Sequence, residues 1–275
     1  MDCGGGEMFF DTHMHGNHPR MGKGYRRSLE EAYDRGVTRM LCVPITLESN
    51  DTIHRDLGEF PGMSFAAGLH PNCVSVEEAS DEWIDKVLRQ AIAHYRPAAI
   101  GETGLDYHYE NPDKERQALW FRRHIGYASP GELAGMGVDR PEGLPLILHI
   151  RDAYEDGLKI LREESGGQYR GVLHCFAADF ETAMQYIELG FHIGIGGDVT
   201  YPEKEMLREA VRKMPLERIV LETDCPFKRP AGVEKGPNTP LYIPAIAREV
   251  AEIKGVPVEE VEQVTWENGV RLFGE

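Results

Sequence analysis

The sequence predicts an α/β fold in which eight parallel strands close into a single (β/α)₈ barrel, the TIM-barrel class. Short apolar runs bounded by turn residues alternate with longer amphipathic stretches along the chain, which is typical of repeated βα units. At 275 residues, the chain also has the length of one such barrel. We therefore expect one domain that spans residues 1–275.

The strand candidates are apolar runs of four to six residues. They lie at residues 8–12, 39–44, 63–68, 98–101, 144–149, 171–174, 191–194 and 219–222. A doubly wound open sheet is the alternative arrangement, but no G-x-G-x-x-G motif follows the first strand. Eight strands separated by helices favour the closed barrel.

Amphipathic stretches between the strands are long enough to cross back over a sheet. They lie at residues 82–94, 114–128, 153–164, 180–189 and 203–214, and residues 240–273 predict two or three closing helices. Residues 129–143 and 228–239 are predicted to be irregular; the second segment follows the eighth strand, where loops line the mouth of a barrel. Aromatic residues at helical spacing predict core positions for Trp83, Trp120, Phe121 and Tyr186.

The charge balance limits the classes of partner. A formal net charge of −16 repels polyanions and disfavours diffuse binding to duplex nucleic acid. Chemistry on a nucleic acid therefore needs a local positive centre, which bound metal ions supply.

Cysteines and termini indicate the cellular compartment. The five cysteines form no C-x-x-C pair, which is typical of reduced intracellular thiols; they are Cys3, Cys42, Cys73, Cys175 and Cys225. Residues 1–7 lack the features of a secretion signal, and no apolar run approaches the roughly 20 residues that span a bilayer. We expect a cytoplasmic protein that does not associate with membranes and has no obligate protein partner.

Side chains that bind metals follow the ends of several predicted strands. They are His13, His15, Glu102, His149, His174 and Asp224. Alternation along an extended strand puts His13 and His15 on the same side, so both imidazoles can face one ion. A lone histidine is more often a hydrogen-bonded structural residue, but four histidines and two carboxylates at strand ends together favour a metal site.

The donor types restrict the metal. Imidazole and carboxylate ligands without thiolate favour zinc, manganese or a similar divalent ion, and magnesium stays open. Six ligands are too many for one catalytic zinc, which usually keeps three protein ligands and an open position. We therefore expect two divalent ions, with Glu102 able to bridge them at the spacing of about 3.5–4 Å found in two-metal hydrolases.

The ordered motifs resemble those of TatD-family deoxyribonucleases, which are amidohydrolase-type TIM barrels. The resemblance covers nearly the whole chain. It rests on Asp11-Thr12-His13-Met14-His15, Gly68-Leu69-His70-Pro71, Gly101-Glu102-Thr103-Gly104-Leu105-Asp106-Tyr107, His149-Ile150-Arg151-Asp152-Ala153, His174-Cys175-Phe176, Glu222-Thr223-Asp224-Cys225-Pro226, Asn238-Thr239-Pro240 and Glu267-Asn268-Gly269-Val270-Arg271-Leu272-Phe273.

The resemblance implies a ligand set. One ion is held by His13, His15 and Asp224, a second by His149 and His174, and Glu102 bridges both. It also implies that His70 and Arg151 contact the substrate phosphate. The alternatives are structural roles, in which His70 packs against a loop and Arg151 pairs with Asp152 or Asp179.

The implied reaction is hydrolysis of a phosphodiester by a metal-activated water, with Asp224 and Glu102 as catalytic residues. Asp224 is the natural acceptor of the water's proton. The resemblance alone implies removal of nucleotides from a 3′ end, and the acidic surface favours single-stranded DNA ends as the substrate.

Some neighbouring residues have two interpretations, and two segments depart from the family. Asp11, Asp106 and Glu222 are expected to orient ligands or to form barrel salt bridges. Many relatives have Asn-Glu-Pro where this chain has Asn238-Thr239-Pro240, and residues 129–143 form a longer link than usual. Both departures leave the metal ligands intact and put the substrate preference in doubt.

Two other functions stay open. An amidohydrolase that acts on a C–N or C–O bond of a small molecule uses the same activated water. Its site often has a carbamylated lysine at the fourth strand, where this chain has Ile100-Gly101-Glu102. A non-catalytic scaffold held together by metal is the second alternative, and it predicts a closed set of ligands.

Overall fold

Eight parallel strands form one sheet in chain order. The computed structural model describes residues 8–165 and 168–274; residues 1–7, with Cys3, lie outside them. A parallel bridge between Met14 and Cys225 joins the first strand to the residues after the eighth, which confirms the (β/α)₈ barrel. The strands are β1 (Phe10–Met14), β2 (Arg39–Cys42), β3 (Met63–Ala67), β4 (Ala99–Asp106), β5 (Leu146–Arg151), β6 (Gly171–Leu173), β7 (Phe191–Ile195) and β8 (Ile219–Leu221).

Strand β4 differs most from its predicted bounds. It continues to Asp106 because its pairing with β5 resumes beyond an irregularity after Ile100 and extends to the Asp106–Arg151 pair. Strand β1 begins two residues later than predicted. Glu102 and His13 therefore lie within strands, each in a short irregular stretch between paired residues: Ile100 and Thr103 flank Glu102, and Asp11 and Met14 flank His13.

Helices lie between the strands and cover the outside of the barrel. They are α1 (Tyr25–Asp34), α2 (Ser49–Leu57), α3 (Pro71–Val76), α4 (Asp81–Tyr95), α5 (Lys114–Tyr127), α6 (Pro130–Gly135), α7 (Tyr154–Ser165), α8 (Phe180–Glu188), α9 (Glu205–Lys213), α10 (Ile243–Lys254) and α11 (Val258–Phe273). The side chains of Ser80, Asp113 and Asp179 cap α4, α5 and α8 by accepting a backbone N–H from the first turn. Among the described residues, no helix is both long and apolar enough to cross a membrane.

Two predictions outside the strands were wrong. Residues 129–143 are not wholly irregular, because Ser129 and Pro130 start α6 with a side-chain cap and a proline in the first turn. Trp83 is not a core residue: it is 54% exposed and lies beside Lys86 on α4. Residues 228–239 have no helix or strand, as predicted, and the segment 240–273 forms α10 and α11 after a short 3₁₀ turn.

The core has two layers. A large outer layer packs the strands against the helices, and a smaller inner cluster fills the barrel. The inner cluster is closed at the amino-terminal end of the barrel by Leu272 and Phe273 of α11, with Phe273 at 6.0 Å from the ring of Phe10. Apolar packing therefore seals one end, which leaves the carboxyl end for polar side chains.

His124 is a buried histidine that contacts the backbone just after β3. Nδ1 of His124 lies 2.7 Å from the carbonyl oxygen of Trp120, and Nε2 accepts the Leu69 N–H at 3.1 Å, so the ring is a neutral tautomer. Burial lowers the pKa of His124 to about 4. Because the unfolded chain binds this proton near pH 6.5 and the folded chain does not, stability falls as the pH drops from about 6.5 towards 4.

The variant His124→Gln is expected to lose less stability on acidification than the wild type. Between pH 7 and pH 5 the linked proton costs the wild type about 2 kcal/mol of unfolding free energy, which the variant does not lose. Urea titrations at the two pH values measure the difference. Gln90→Ala, an exposed change on α4 that removes no titrating group, is the control and should keep the wild-type dependence. An equal loss in His124→Gln and wild type would contradict the assignment.

Candidate metal centre

All six predicted ligands meet at the carboxyl end of the barrel. Three of them lie on β1, β4 and β5, and the other three follow the ends of β1, β6 and β8. His13, His15, Glu102, His174 and Asp224 are buried, and the side chain of His149 is 14% exposed. The backbone N–H of Asp224 donates to His13, and that of His15 donates to Cys225. These bonds hold the first strand in register with the residues that follow the eighth.

The first donor group consists of His13, His15, Asp224 and one oxygen of Glu102. The Nε2 atoms of His13 and His15 are 3.4 Å apart. Oε2 of Glu102 lies 3.5 Å from His13 Nε2 and 3.7 Å from His15 Nε2. Oδ1 of Asp224 lies 3.9 Å and 3.4 Å from the same two nitrogens. His13, His15 and Asp224 therefore form one candidate ion-binding group, and Oε2 of Glu102 lies close to both histidine nitrogens.

The second donor group uses the other oxygen of Glu102. Oε1 lies 2.6 Å from His149 Nδ1 and 2.7 Å from His174 Nε2, and these two nitrogens are 3.1 Å apart. The rings of His13 and His174 stack at 3.9 Å, which places the two groups side by side. Glu102 thus contacts both groups, one with each oxygen.

The donor separations provide a test of metal fit. Ligand atoms around a tetrahedral ion with bonds of about 2.1 Å lie about 3.4 Å apart, and the first group has this spacing. Oε2 of the buried Glu102 has no hydrogen-bond partner among the described residues, as expected for an atom that serves a cation. The second group is tighter and must open by about 0.3–0.8 Å to reach the same spacing. Both groups have the donor chemistry of a divalent ion.

The histidines control the charge on the carboxylates. Burial on its own raises the pKa of Glu102, but His174, His70 and His13 outweigh it and hold the pKa well below its ordinary value. The pKa of Asp224 is also lowered, because His15, with smaller contributions from His174 and His13, outweighs the effect of burial. Both side chains are therefore anionic at neutral pH, the form that binds metal.

Neighbouring groups orient the histidines. Nδ1 of His15 lies 2.8 Å from the Val43 carbonyl oxygen, so it carries the proton and leaves Nε2 free for an ion. Oδ2 of Asp106 lies 3.1 Å from His149 Nε2 and also accepts the Asn72 amide at 2.7 Å. This contact agrees with the expected orienting role of Asp106.

Glu222 has an orienting position and Asp11 does not. Oε1 of Glu222 lies 3.7 Å from His174 Nδ1, in space that Gly194 leaves open: a Cβ there would meet Oε2 of Glu222 at 2.2 Å. Asp11 instead accepts the Thr223 N–H at 2.9 Å and its hydroxyl at 2.5 Å. Asp11 therefore fastens β1 to the end of β8 rather than holding a histidine ring.

His70 and Arg151 border the centre. Nδ1 of His70 accepts the Asn72 N–H at 3.1 Å, so in the neutral ring Nε2 carries the proton; it lies 3.5 Å from Oε1 of Glu102. The guanidinium of Arg151 lies 5.7 Å from the ring centre of Tyr109. The suggested partners of Arg151 are engaged elsewhere: Asp152 contacts His108 at 3.0 Å, and Asp179 caps α8.

A cavity of about 570 Å³ opens over the centre. It is lined by the predicted His70 and Arg151 and by several residues that the sequence did not single out. Those include His18, His108, Tyr109, Tyr154, Phe227 and Lys228. Lys228 pairs with Asp198 at 3.0 Å, and its only sequence signal is its place in the loop after β8.

Two further features of the sequence have structural explanations. Asn238 is buried and donates to the carbonyl oxygens of Thr223 at 2.7 Å and Lys228 at 3.1 Å, which closes the loop after β8. Thr239 is not among the residues that line the cavity. The four cysteines in the described part of the chain are free thiols, as predicted, and burial raises the pKa of Cys42 to about 12 and that of Cys73 to about 11.

Comparisons with known proteins agree with this geometry. Residues 10–274 match the family described as TatD related DNase. The chain is 33% identical to the uncharacterized metal-dependent hydrolase YabD of Bacillus subtilis over 97% of this chain and 99% of that one. It is 38% identical to the uncharacterized metal-dependent hydrolase YcfH of Escherichia coli K12, over 89% and 86% of the two chains.

Solved structures give the same assignment. The crystal structure of YjjV, a TatD homolog from E. coli K12, superimposes with a TM-score of 0.83 at 28% identity, covering 97% of this chain and 98% of that one. An uncharacterized amidohydrolase from Saccharomyces cerevisiae, with a TM-score of 0.77 at 18% identity over 97% and 99% of the two chains, shares the fold. The chain therefore belongs to the TatD-related DNase family of metal-dependent hydrolases.

Proposed function

We propose that this protein is a two-metal phosphodiesterase that removes nucleotides from the 3′ end of single-stranded DNA. The observation that carries the proposal is the pair of donor groups joined by Glu102 at the floor of an open cavity. The family's description as a DNase supports a nucleic-acid substrate. The 3′ polarity follows from the family resemblance.

The proposed ligand assignment divides the six residues into two groups. His13, His15 and Asp224 would hold one divalent ion, His149 and His174 would hold a second, and Glu102 would contribute to both. When bound, such ions lower the pKa of water and neutralise charge on phosphoryl oxygens. Zinc, manganese and magnesium all suit these donors, so the ion is to be identified by measurement.

Asp224 is the proposed proton acceptor. Its Oδ1 borders the first donor group, its side chain is 11% exposed, and its lowered pKa keeps it ionised at neutral pH. With an ion bound by this group, Asp224 would serve both as a ligand and as the acceptor of the proton from the attacking water.

Basic side chains at the cavity wall are proposed to hold the phosphate. His70 offers its Nε2–H, and Arg151 offers a guanidinium that no carboxylate among the described residues pairs with. Lys228, which pairs with Asp198 at 3.0 Å, adds a second positive group at the rim, while burial lowers the pKa of His70 to about 3 and keeps its ring neutral. These groups concentrate positive charge at the centre of an acidic protein, which favours entry of a strand end over binding along a duplex.

The alternative functions receive less support from the geometry. The lysine that lines the cavity, Lys228, pairs with Asp198 and follows β8, whereas a carbamylated lysine is expected on β4, where Glu102 stands. A purely structural metal site predicts a closed shell, but the donors here adjoin a cavity of about 570 Å³.

The test is digestion of a 5′-labelled single-stranded oligonucleotide with added Mg²⁺, Mn²⁺ or Zn²⁺. A ladder that shortens from the 3′ end and disappears with EDTA is expected, whereas a circular single strand of the same length stays intact. Cleavage of the circle would show that the protein is an endonuclease and not an exonuclease. An intact oligonucleotide together with turnover of amide or lactone substrates would favour the amidohydrolase alternative.

The variant Arg151→Gln is expected to lower kcat/KM for the oligonucleotide by roughly 10–100-fold, the effect of losing one charged hydrogen bond to phosphate. The metal content should not change, because the guanidinium is not a ligand. Initial rates and mass-spectrometric metal analysis measure the two quantities. Arg26→Gln, on the exposed face of α1, is the matched control; an unchanged kcat/KM in Arg151→Gln would remove Arg151 from the phosphate site.

A further inference from the structure

A second cavity of about 570 Å³ lies at the amino-terminal end of the barrel, opposite the metal centre. Its wall is built from β3, from the segments that precede β4, β5 and β6, and from the end of α11. Four arginines line it: Arg96, Arg140, Arg170 and Arg271. Loops at this end of a barrel usually serve stability, so a cluster of cations there requires a separate explanation.

The charge of this cavity is opposite to that of the protein. Four arginines face one carboxylate among the lining residues, Glu142, whereas the whole chain carries a formal net charge of −16. Glu142 lies 3.3 Å from Arg170. Within the described ranges, Arg96, Arg140 and Arg271 form no ion pair with a carboxylate. Among the described residues, three of the four arginines that line the cavity thus lack a carboxylate partner.

This region also holds a buried guanidinium nitrogen and a buried histidine that the arginines affect. Nε of Arg170 is buried and has no hydrogen-bond partner among the described residues. Nearby, burial first and then the charges of Arg218 and Arg271 lower the pKa of His192 to about 4. An anion in the cavity would meet the terminal nitrogens of Arg170, whose side chain is 38% exposed, rather than the buried Nε.

One side of the cavity is aromatic. The rings of His54 and Tyr95 stack at 3.9 Å, and His54 lies 4.2 Å from the ring of Phe65. Burial lowers the pKa of His54 to about 4, so this ring is neutral at neutral pH. All three side chains line the cavity. Flat neutral rings beside guanidinium groups suit a ligand that has a phosphate and a planar base.

We propose that this cavity binds a phosphate monoester, and that its aromatic side selects a mononucleotide over inorganic phosphate. The volume lies within the range of about 300–1,000 Å³ typical of small-molecule sites. The arginines bind the phosphate dianion in bidentate fashion, and the rings contact the base. The site is independent of the metal centre and does not require the proposed nuclease activity.

Calorimetric titration with 2′-deoxyadenosine 5′-monophosphate and with inorganic phosphate tests the proposal. The protein is used metal-loaded and again after metal removal and dialysis free of chelator. In the metal-free protein, one equivalent of nucleotide is expected to bind, more tightly than phosphate, while deoxyadenosine without phosphate does not bind. The metal-loaded protein keeps this site and binds further nucleotide only if the metal centre holds the product of the proposed reaction. The double variant Arg140→Gln, Arg271→Gln should weaken nucleotide binding by at least about tenfold.

A control removes the same charge elsewhere. Arg27→Gln combined with Arg212→Gln changes two exposed arginines on α1 and α9 and should leave the affinity within about twofold. Equal weakening in both double variants, or nucleotide binding that disappears with the metal, would overturn the proposal. Equal affinity for phosphate and nucleotide would show that the aromatic rings of the cavity do not contact the base. Absence of nuclease activity would leave the expected binding unchanged, so the two proposals fail separately.

Discussion

Replacing Glu102 with glutamine is expected to lower metal-dependent hydrolysis by at least about 10³-fold. Glutamine keeps the shape of the side chain but has one oxygen and no charge, so it cannot serve both donor groups. In the wild type, Oε1 contacts His149 and His174 while Oε2 faces His13 and His15. Under the proposed two-ion assignment, bound metal should fall from two ions to one or fewer per chain, and mass spectrometry measures this alongside the initial rate.

Glu222→Gln is the matched comparison, because Glu222 is a buried carboxylate that contacts His174 without facing the donor groups directly. Loss of an orienting partner typically costs 10–100-fold, so its effect should be smaller, with both ions retained. Thermal melting confirms that each variant folds. A Glu102→Gln protein that keeps two ions and activity within tenfold of wild type would show that Glu102 is not the bridge.

The periodicity of the sequence was sufficient to predict the barrel. Apolar runs located all eight strands, and long amphipathic stretches located α4, α5 and α7 to α9 within about two residues. Helix α1 gave a weaker signal because its buried residues are only Leu29 and Ala32. The extension of β4 could not be seen in its own residues, since its length depends on pairing with β5.

The six candidate ligands could be predicted because a barrel brings the carboxyl ends of its strands together. Their surroundings could not be predicted in the same way. The contact between Asp11 and Thr223 joins residues 212 positions apart, and no local pattern predicts which carboxylate makes it. The backbone is also left-handed at Asp152, Cys175 and Asp224, a conformation that tertiary packing stabilises. It changes the direction of the chain after β5, β6 and β8, which no local pattern predicts.

The variant Asp224→Asn is expected to reduce hydrolysis by at least about 10³-fold even when saturated with metal. Its amide still offers an oxygen to an ion beside His13 and His15, but it cannot accept a proton. Metal affinity should therefore fall moderately while the rate falls severely. The initial rate is measured over a range of metal concentrations, so that weak binding and loss of the base are separated.

The pH dependence distinguishes the two roles of Asp224. Because the pKa of Asp224 is lowered, the wild-type carboxylate is ionised throughout the neutral range, and its contribution is lost only as the pH falls through that lowered pKa. With the base removed, solvent hydroxide must take the proton, so the variant's rate should rise about tenfold per pH unit where the wild-type rate is flat. Asp34→Asn, an exposed change on α1, controls for the substitution itself. If excess metal restored the wild-type rate and profile to Asp224→Asn, Asp224 would be a metal ligand alone, and the proton would have to leave through another group or through solvent.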